Sequence, residues 1–475
     1  MDHAELCYMP AVEALERFRA GTLSPVTLME ALIRQCERVN PEVNAFTHTY
    51  FDRALEQARA AERLYGSGEV VRPLEGIPLA VKDGTPVKGE ITTFGSQVYS
   101  DYRPEKTHPG LARLLAAGAV MMGRTTMPEF GEAANCYTPL WGVTRNPWNL
   151  DYGPGGSSSG AGAAVAAGMA TVADGSDIGG SIRIPAACCG LVGYKPPYGR
   201  NPNQLESTFD PYLHYGPITR TVRDAALMQN VLSGIHVDDI GTVREELVIP
   251  LELATIRGWR VAYSVDLGFY QVDADVERNM VDTLEVFRGL GCDVQEVELG
   301  WGEEVFQAWK TINSSRGSAA RHVKDVERWA PHLADYTLDW LKAGSDVSRE
   351  GILEALEVHI AMYATMGPLL EDYDLFVCPT NAIPSVEADR SPLDLDMLIN
   401  GEPARPVVAE GWFMTYPFNV LSQLPVMSVP SGIAASGVPT GIQLVGRSYD
   451  DVKVFRAAYA LEDELAWFRL RPGLD

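Results

Sequence analysis

The chain has 475 residues, with 63 acidic against 39 basic side chains and a formal net charge of −24. So acidic a surface repels nucleic acid and anionic membranes, and neither is an expected partner. Hydrophobic residues at 46% and charged residues at 21% exclude a disordered chain and are enough to fill a large core.

The first residues, MDHAELCYMP, lack the basic start and apolar stretch of a secretory signal. Residues 10–65 read as helices. Ser24 caps one of them with Pro25 at the first helical position, and Leu28, Ala31, Leu32, Gln35 and Val39 share a face. LEGIPLAV at 74–81 reads as a turn and a short buried strand, with Lys82 directly after it. An amphipathic helix over 107–123 ends in Gly-Ala-Val-Met-Met-Gly, where a strand begins. Residues 153–200 are rich in glycine and serine around a small-residue helix at 161–170. Its apolar run ends at 173 and is too short to span a bilayer. Residues 217–235 read as a helix, and 258–299 as strand, helix, strand. Residues 303–372 are mostly helical and carry Trp309, Trp329 and Trp340. Strands follow at 375–380, 425–432 and 441–447, and a helix closes the chain. This mixture along the whole length argues for one α/β layered domain, 1–475. The seven cysteines are widely spaced without a CxxC, which predicts free thiols in a reducing cytoplasm. Cys188–Cys189 reads either as two small buried residues or as a redox or metal pair.

Three polar positions stand out. Lys82 ends a buried strand, where lysine is rare without a partner. Ser157 lies in PGGSSSG and Ser181 in DIGGSIRIP. Singly they read as a strand end, a flexible turn and a helix cap. Together they offer chemistry, because a serine hydroxyl needs a base to become a nucleophile. None of the eight histidines lies in a Gly/Ser-rich motif, but a lysine kept neutral by burial can serve. The run Ile178-Gly179-Gly180 before Ser181 offers backbone N–H groups for an oxyanion hole.

GIPLAVKD at 76–83, NPWNLDYGPGGSSSGAGAAVAAG at 146–168 and DGSDIGGSIRIPAACCGLVGYKPPYGR at 174–200 resemble the amidase signature family. GPITRTVRDAALM at 216–228 and GVPTGIQLVGR at 437–447 extend the likeness to nearly the whole chain. The resemblance implies an α/β fold with a central mixed twisted sheet flanked by helices. The division expected is N-terminal helices over 1–65, a signature core over 66–235, and a helical segment at 303–372 that is a candidate lid. It assigns Lys82 as base, Ser157 as a bridging serine on a cis peptide and Ser181 as the nucleophile that forms an acyl-enzyme. Ser158 and Ser176 are supporting hydroxyls, Asp177 holds the loop, and Arg183 pairs with a nearby carboxylate. The activity implied is cleavage of amide-type C–N bonds without cofactor or metal, in a cytoplasmic monomer or homodimer. If Lys82 must be neutral, the rate rises with pH.

The chain departs from the family pattern at Ser159, at Pro197 and in NPNQLE after Arg200, which leaves the pocket rim open. GSSSG at 156–160 also fits a nucleophile elbow with Ser158 as nucleophile, but the strand that such an elbow needs is missing. A second function within the family is a glutamine-hydrolysing subunit of a tRNA-dependent amidotransferase. Amides, aryl anilides and carbamates (urethanes) all suit the chemistry. Residues 129–138, 201–215 and 303–345 are the expected pocket walls, and the three tryptophans read either as core or as an aromatic lid.

Overall fold

Leu79, Ala80 and Val81 have no polar side-chain atom, and the chain buries them completely at the heart of a mixed sheet. The computed structural model describes residues 2–251, 254–316, 318–406, 408 and 411–474; Gly317, inside the 303–372 segment, lies outside the described residues. The strands are β1 (Phe46–Thr49), β2 (Pro78–Lys82), β3 (Val120–Thr125), β4 (Val172–Asp177), β5 (Val192–Lys195) and β6 (His214–Thr219). They continue with β7 (Arg260–Tyr263), β8 (Asp293–Glu296), β9 (Leu375–Pro379), β10 (Val426–Ile433) and β11 (Pro439–Val445). These eleven form one sheet in the order β1-β3-β2-β4-β6-β5-β10-β11-β9-β7-β8. β2 runs parallel to β3 and β4, whereas β6 is antiparallel to both β4 and β5. Helices cover the sheet, giving a single α/β domain.

Local chemistry explains the elements that were legible. The Ser24 hydroxyl accepts the Val26 N–H at 3.0 Å and starts helix Pro25–Val43. Its Leu28, Ala31, Leu32, Gln35 and Val39 are all buried. Three readings need correction. Residues 10–65 are not all helical, because Phe46–Thr49 leaves the helices to pair with β3 at the sheet edge. The 217–235 stretch begins as β6, and its helix runs only over Val222–Leu232, capped by the Thr221 hydroxyl at 3.2 Å from the Asp224 N–H. The small-residue helix runs over Ser159–Ala166, not 161–170. β4 (VADGSD) and β5 went unread, since their residues are small or polar and nearly all buried; pairing with both neighbours stabilises them.

Helix Ser159–Ala166 packs closely on helix Arg183–Cys189. A Cβ on Gly162 would stand 3.1 Å from the Pro185 side chain, so only a small residue allows this approach. The 303–372 segment forms helices Glu304–Arg316, Asp335–Ser345 and Arg349–Asp372 with shorter turns between them. All seven cysteines are free and buried. Among the described residues no helix is long and apolar enough to cross a membrane.

Candidate active site

Parallel pairing of β2 with β4 brings Lys82 and Ser176 to the same end of the sheet. Lys82 is 1% exposed, and its Nζ donates to Ser157 Oγ at 2.9 Å and Ser176 Oγ at 3.0 Å. Burial pushes its pKa down to about 7, against the pull of the Asp174 and Asp177 carboxylates. Asp174 does not touch the amine. Its oxygens take the Lys82 backbone N–H at 2.6 Å, the Thr85 hydroxyl at 2.7 Å and the Tyr215 hydroxyl at 2.9 Å. Ser157 follows a cis peptide with Gly156.

Ser181 lies between β4 and helix Arg183–Cys189. It is not that helix's cap, since Ile182 occupies the cap position without a side-chain bond. Every carbonyl of the loop 178–181 is held by protein. Ile178 O accepts Trp309 Nε1 at 3.3 Å, and Gly179 O accepts the Thr415 hydroxyl. Gly180 O accepts the Ile184 N–H at 2.7 Å, and Ser181 O accepts the Ser158 N–H at 3.1 Å. Among the described residues no protein acceptor takes the N–H groups of Gly179, Gly180 or Ser181. Gly180 adopts φ 131°, and a Cβ there would overlap the Thr415 hydroxyl. A Cβ on Gly179 would come within 2.6 Å of the Trp309 ring. The loop therefore presents consecutive backbone donors with fixed direction.

Beneath it, Asp177 and Arg183 form a fully buried pair at 2.9 Å. Burial alone would raise the Asp177 pKa, but the Arg183 guanidinium and Asn419 hold it well below the usual carboxylate range. Arg183 also donates to Thr415 O at 2.9 Å, Gln443 Oε1 at 2.6 Å and Asn419 Oδ1 at 2.6 Å. Sequence reasoning missed Thr415, Asn419 and Gln443, which lie more than 200 residues away; Gln443 falls within GVPTGIQLVGR, but nothing local tied it to Arg183. Ser158 donates weakly to Ser176 O at 3.5 Å. Cys188 and Cys189 pack under the serine loop: Cys188 Sγ is 3.4 Å from the Asn381 amide and Cys189 Sγ 3.5 Å from Pro154 O. Small-residue packing accounts for that pair.

Two cavities open on Ser181. The larger, about 620 Å³, also reaches Lys82, Ser157 and Ser176, with Phe94, Phe130 and His322 in its wall. The His322 ring stacks on Phe130 at 5.4 Å, and burial pushes it down to about 4, so it is neutral. The smaller, about 40 Å³, is lined by Ile184, Trp309, Asn313, Trp340 and Phe413 beside the 178–181 loop. All three expected wall regions contribute. Trp309 and Trp340 meet edge to face at 5.8 Å in the wall of the small chamber, while Trp329 packs in a cluster with Phe94 and Phe130. The contributions of Phe94 and Phe413 were not anticipated.

A mixed α/β sheet carrying a buried lysine on two serines beside a loop of free N–H donors defines the class, an amidohydrolase. The chain belongs to the amidase signature family: the family profile described as Amidase matches residues 27–455. It is 34% identical to the acylamidase of Rhodococcus erythropolis over 478 residues, covering 100% of this chain and 99% of that one. It is 30% identical to a subunit of the glutamyl-tRNA(Gln) amidotransferase of Geobacter metallireducens over 491 residues, covering 99% and 100%. The crystal structure of a bacterial aryl acylamidase of the amidase signature family matches with a TM-score of 0.89 and 32% identity, covering 97% of each chain. The protein hydrolyses carbon–nitrogen bonds other than peptide bonds.

Proposed function

We infer that Ser181 is the nucleophile of a Lys82–Ser157–Ser181 relay acting on N-aryl amides with short acyl groups. The observation that carries this reading is the Lys82 amine, held 2.9 Å from Ser157 with its pKa near 7. Neutral Lys82 takes the Ser157 proton, Ser157 takes the Ser181 proton, and Ser181 attacks the carbonyl carbon. The oxyanion is received by the N–H groups of the loop, with Ile178, Gly179 and Gly180 as the proposed donors. The proton then returns through Ser157 to the leaving nitrogen. Amines leave poorly without it. Water cleaves the acyl-enzyme by the same relay. Ser176 orients Lys82, and Asp177 with Arg183 holds the loop.

The proton returns from Ser157, which faces the larger cavity, so the leaving amine occupies that side. Its aromatic wall suits an aryl amine. The acyl group then enters the small chamber, which by volume has room for about three water-sized groups. Carbamates with a short alkoxy group meet the same requirement. Residues 303–345, which supply Trp309, Asn313 and Trp340, form the lid of this chamber. The enzyme acts as a stand-alone cytoplasmic monomer or homodimer.

The 30% identity to the amidotransferase chain favours a second reading, glutamine hydrolysis. The acyl part of glutamine carries an α-ammonium and an α-carboxylate, too large for a chamber of about 40 Å³, whose lining among the described residues offers the carboxylate no cationic side chain. The hydrolase reading therefore stands first. A screen of amides, anilides, esters and carbamates with Ser181→Ala as control tests it. Anilide turnover by the isolated chain, lost in that variant, is expected. Activity appearing only when the other amidotransferase components are added would overturn it.

A further inference from the structure

Helix Glu304–Arg316 sends Trp309 and Asn313 toward the same chamber, since residues four apart share a helical face. Trp309 is anchored through its indole N–H to Ile178 O. Asn313 is 7% exposed, and its carboxamide, which has no hydrogen-bond partner among the described residues, is open to the chamber. An amide open to a ligand chamber is solvated until a ligand fills that space, and the ligand then has to replace those bonds. Three buried amides near the serine loop are bonded on protein instead. Asn419 binds Asp177 and Tyr212 O, Gln443 binds Pro379 O and Met414 O, and Asn146 binds Gly153 O and Cys188 O. The other side-chain walls of the small chamber are mostly hydrocarbon and indole, and Glu132 already accepts the Ala319 N–H at 3.0 Å. One carboxamide with no protein partner among the described residues thus faces a space the size of a short acyl group.

We propose that Asn313 determines acyl specificity by hydrogen bonding a polar atom on the acyl portion of the substrate. The preferred acyl groups are short, uncharged and carry a hydroxyl or amide near the carbonyl, rather than being plain hydrocarbon. A carboxamide both donates and accepts, so it pairs with either kind of group. Carboxylate-bearing acyl groups meet no cation in the lining among the described residues. Asn313 binds the acyl group and does not move protons. This inference rests on the reading that the small chamber takes the acyl side.

The test compares 4-nitroanilides of glycolic and propionic acid, which match in size and differ by a hydroxyl for a methyl. Wild type should favour the glycolyl compound by about tenfold in kcat/KM, the scale of one buried hydrogen bond. Asn313→Leu should bring the ratio to one or below. Asn313→Ala, which leaves space instead of filling it, should do the same and guards against a misfolded first variant. A ratio unchanged in both variants, or a wild-type preference for propionyl, overturns the proposal. A second readout needs no turnover. Calorimetric binding of glycolamide and propionamide to Ser181→Ala should show the same preference, lost when Asn313→Leu is added. Failure of wild type to release nitroaniline would count against the hydrolase reading, while the binding pair would still decide the role of Asn313.

Discussion

Lys82 is surrounded by hydroxyls instead of carboxylates, and that choice keeps it a usable base. Because the neutral form is the reactive one, kcat/KM should rise about tenfold per pH unit below pH 7 and level off above about pH 8. A profile of anilide hydrolysis that is flat from pH 5 to 9 would contradict the relay. Linkage gives a second consequence. Between about 7 and 10.5 the unfolded lysine holds a proton that the folded one has lost, so the contribution of Lys82 to stability increases as pH rises through that window, opposed above about pH 9 by the buried thiols. Lys82→Met should abolish turnover, and its gain in Tm over wild type should be larger at pH 7 than at pH 10, as thermal melts at the two values would reveal. Ser181→Ala and Ser157→Ala should each cost about 10⁴-fold or more in kcat. Ser158→Ala should cost no more than about tenfold, because it is the Ser158 backbone N–H that holds Ser181 O. Equal losses at Ser158 and Ser181 would revive the elbow reading.

Among elements, the 178–181 loop shows how donors are aimed: its carbonyls are tied down, which leaves its N–H groups facing the cavity. Thr415→Val removes the hydroxyl that anchors Gly179 O and should lower kcat about 10- to 100-fold with little change in KM or melting. A rise in KM at constant kcat would mean that the loop serves only binding. Arg183→Met leaves Asp177 charged, buried and unpaired, and should destabilise the fold by about 3–5 kcal/mol in urea titrations. Legibility in the sequence divides along the same line. β2 and β9 were readable because hydrophobic runs mark them. β4 was not, although it carries Ser176 and Asp177, because VADGSD owes its strand state to its neighbours. Lys82, Ser157 and Ser181 were readable through their motifs. Ser181 was misread as a cap when taken alone, because a serine before a helix is ordinarily one. Thr415, Asn419 and Asn313 gave no signal, since each acts through a contact that only the folded chain creates.

For the molecule as a whole, the sheet joins distant parts of the chain into one unit. The loop bearing Ser181 is braced by residues from 415 to 443, so the site cannot form before the C-terminal strands are in place. Urea transitions followed by circular dichroism and by activity should therefore coincide, and activity lost well before the sheet would contradict this coupling. The buried cysteines carry a consequence for handling the protein. Burial pushes Cys7 and Cys292 up to about 11 and Cys36 and Cys188 up to about 12, far from the thiolate that alkylating reagents attack. The native enzyme should ignore an aromatic disulfide reagent that counts seven thiols once the chain is unfolded. A single cysteine introduced on the surface would then be a unique chemical handle, so a dye or a solid support could be attached at one chosen point with the natural thiols left in place.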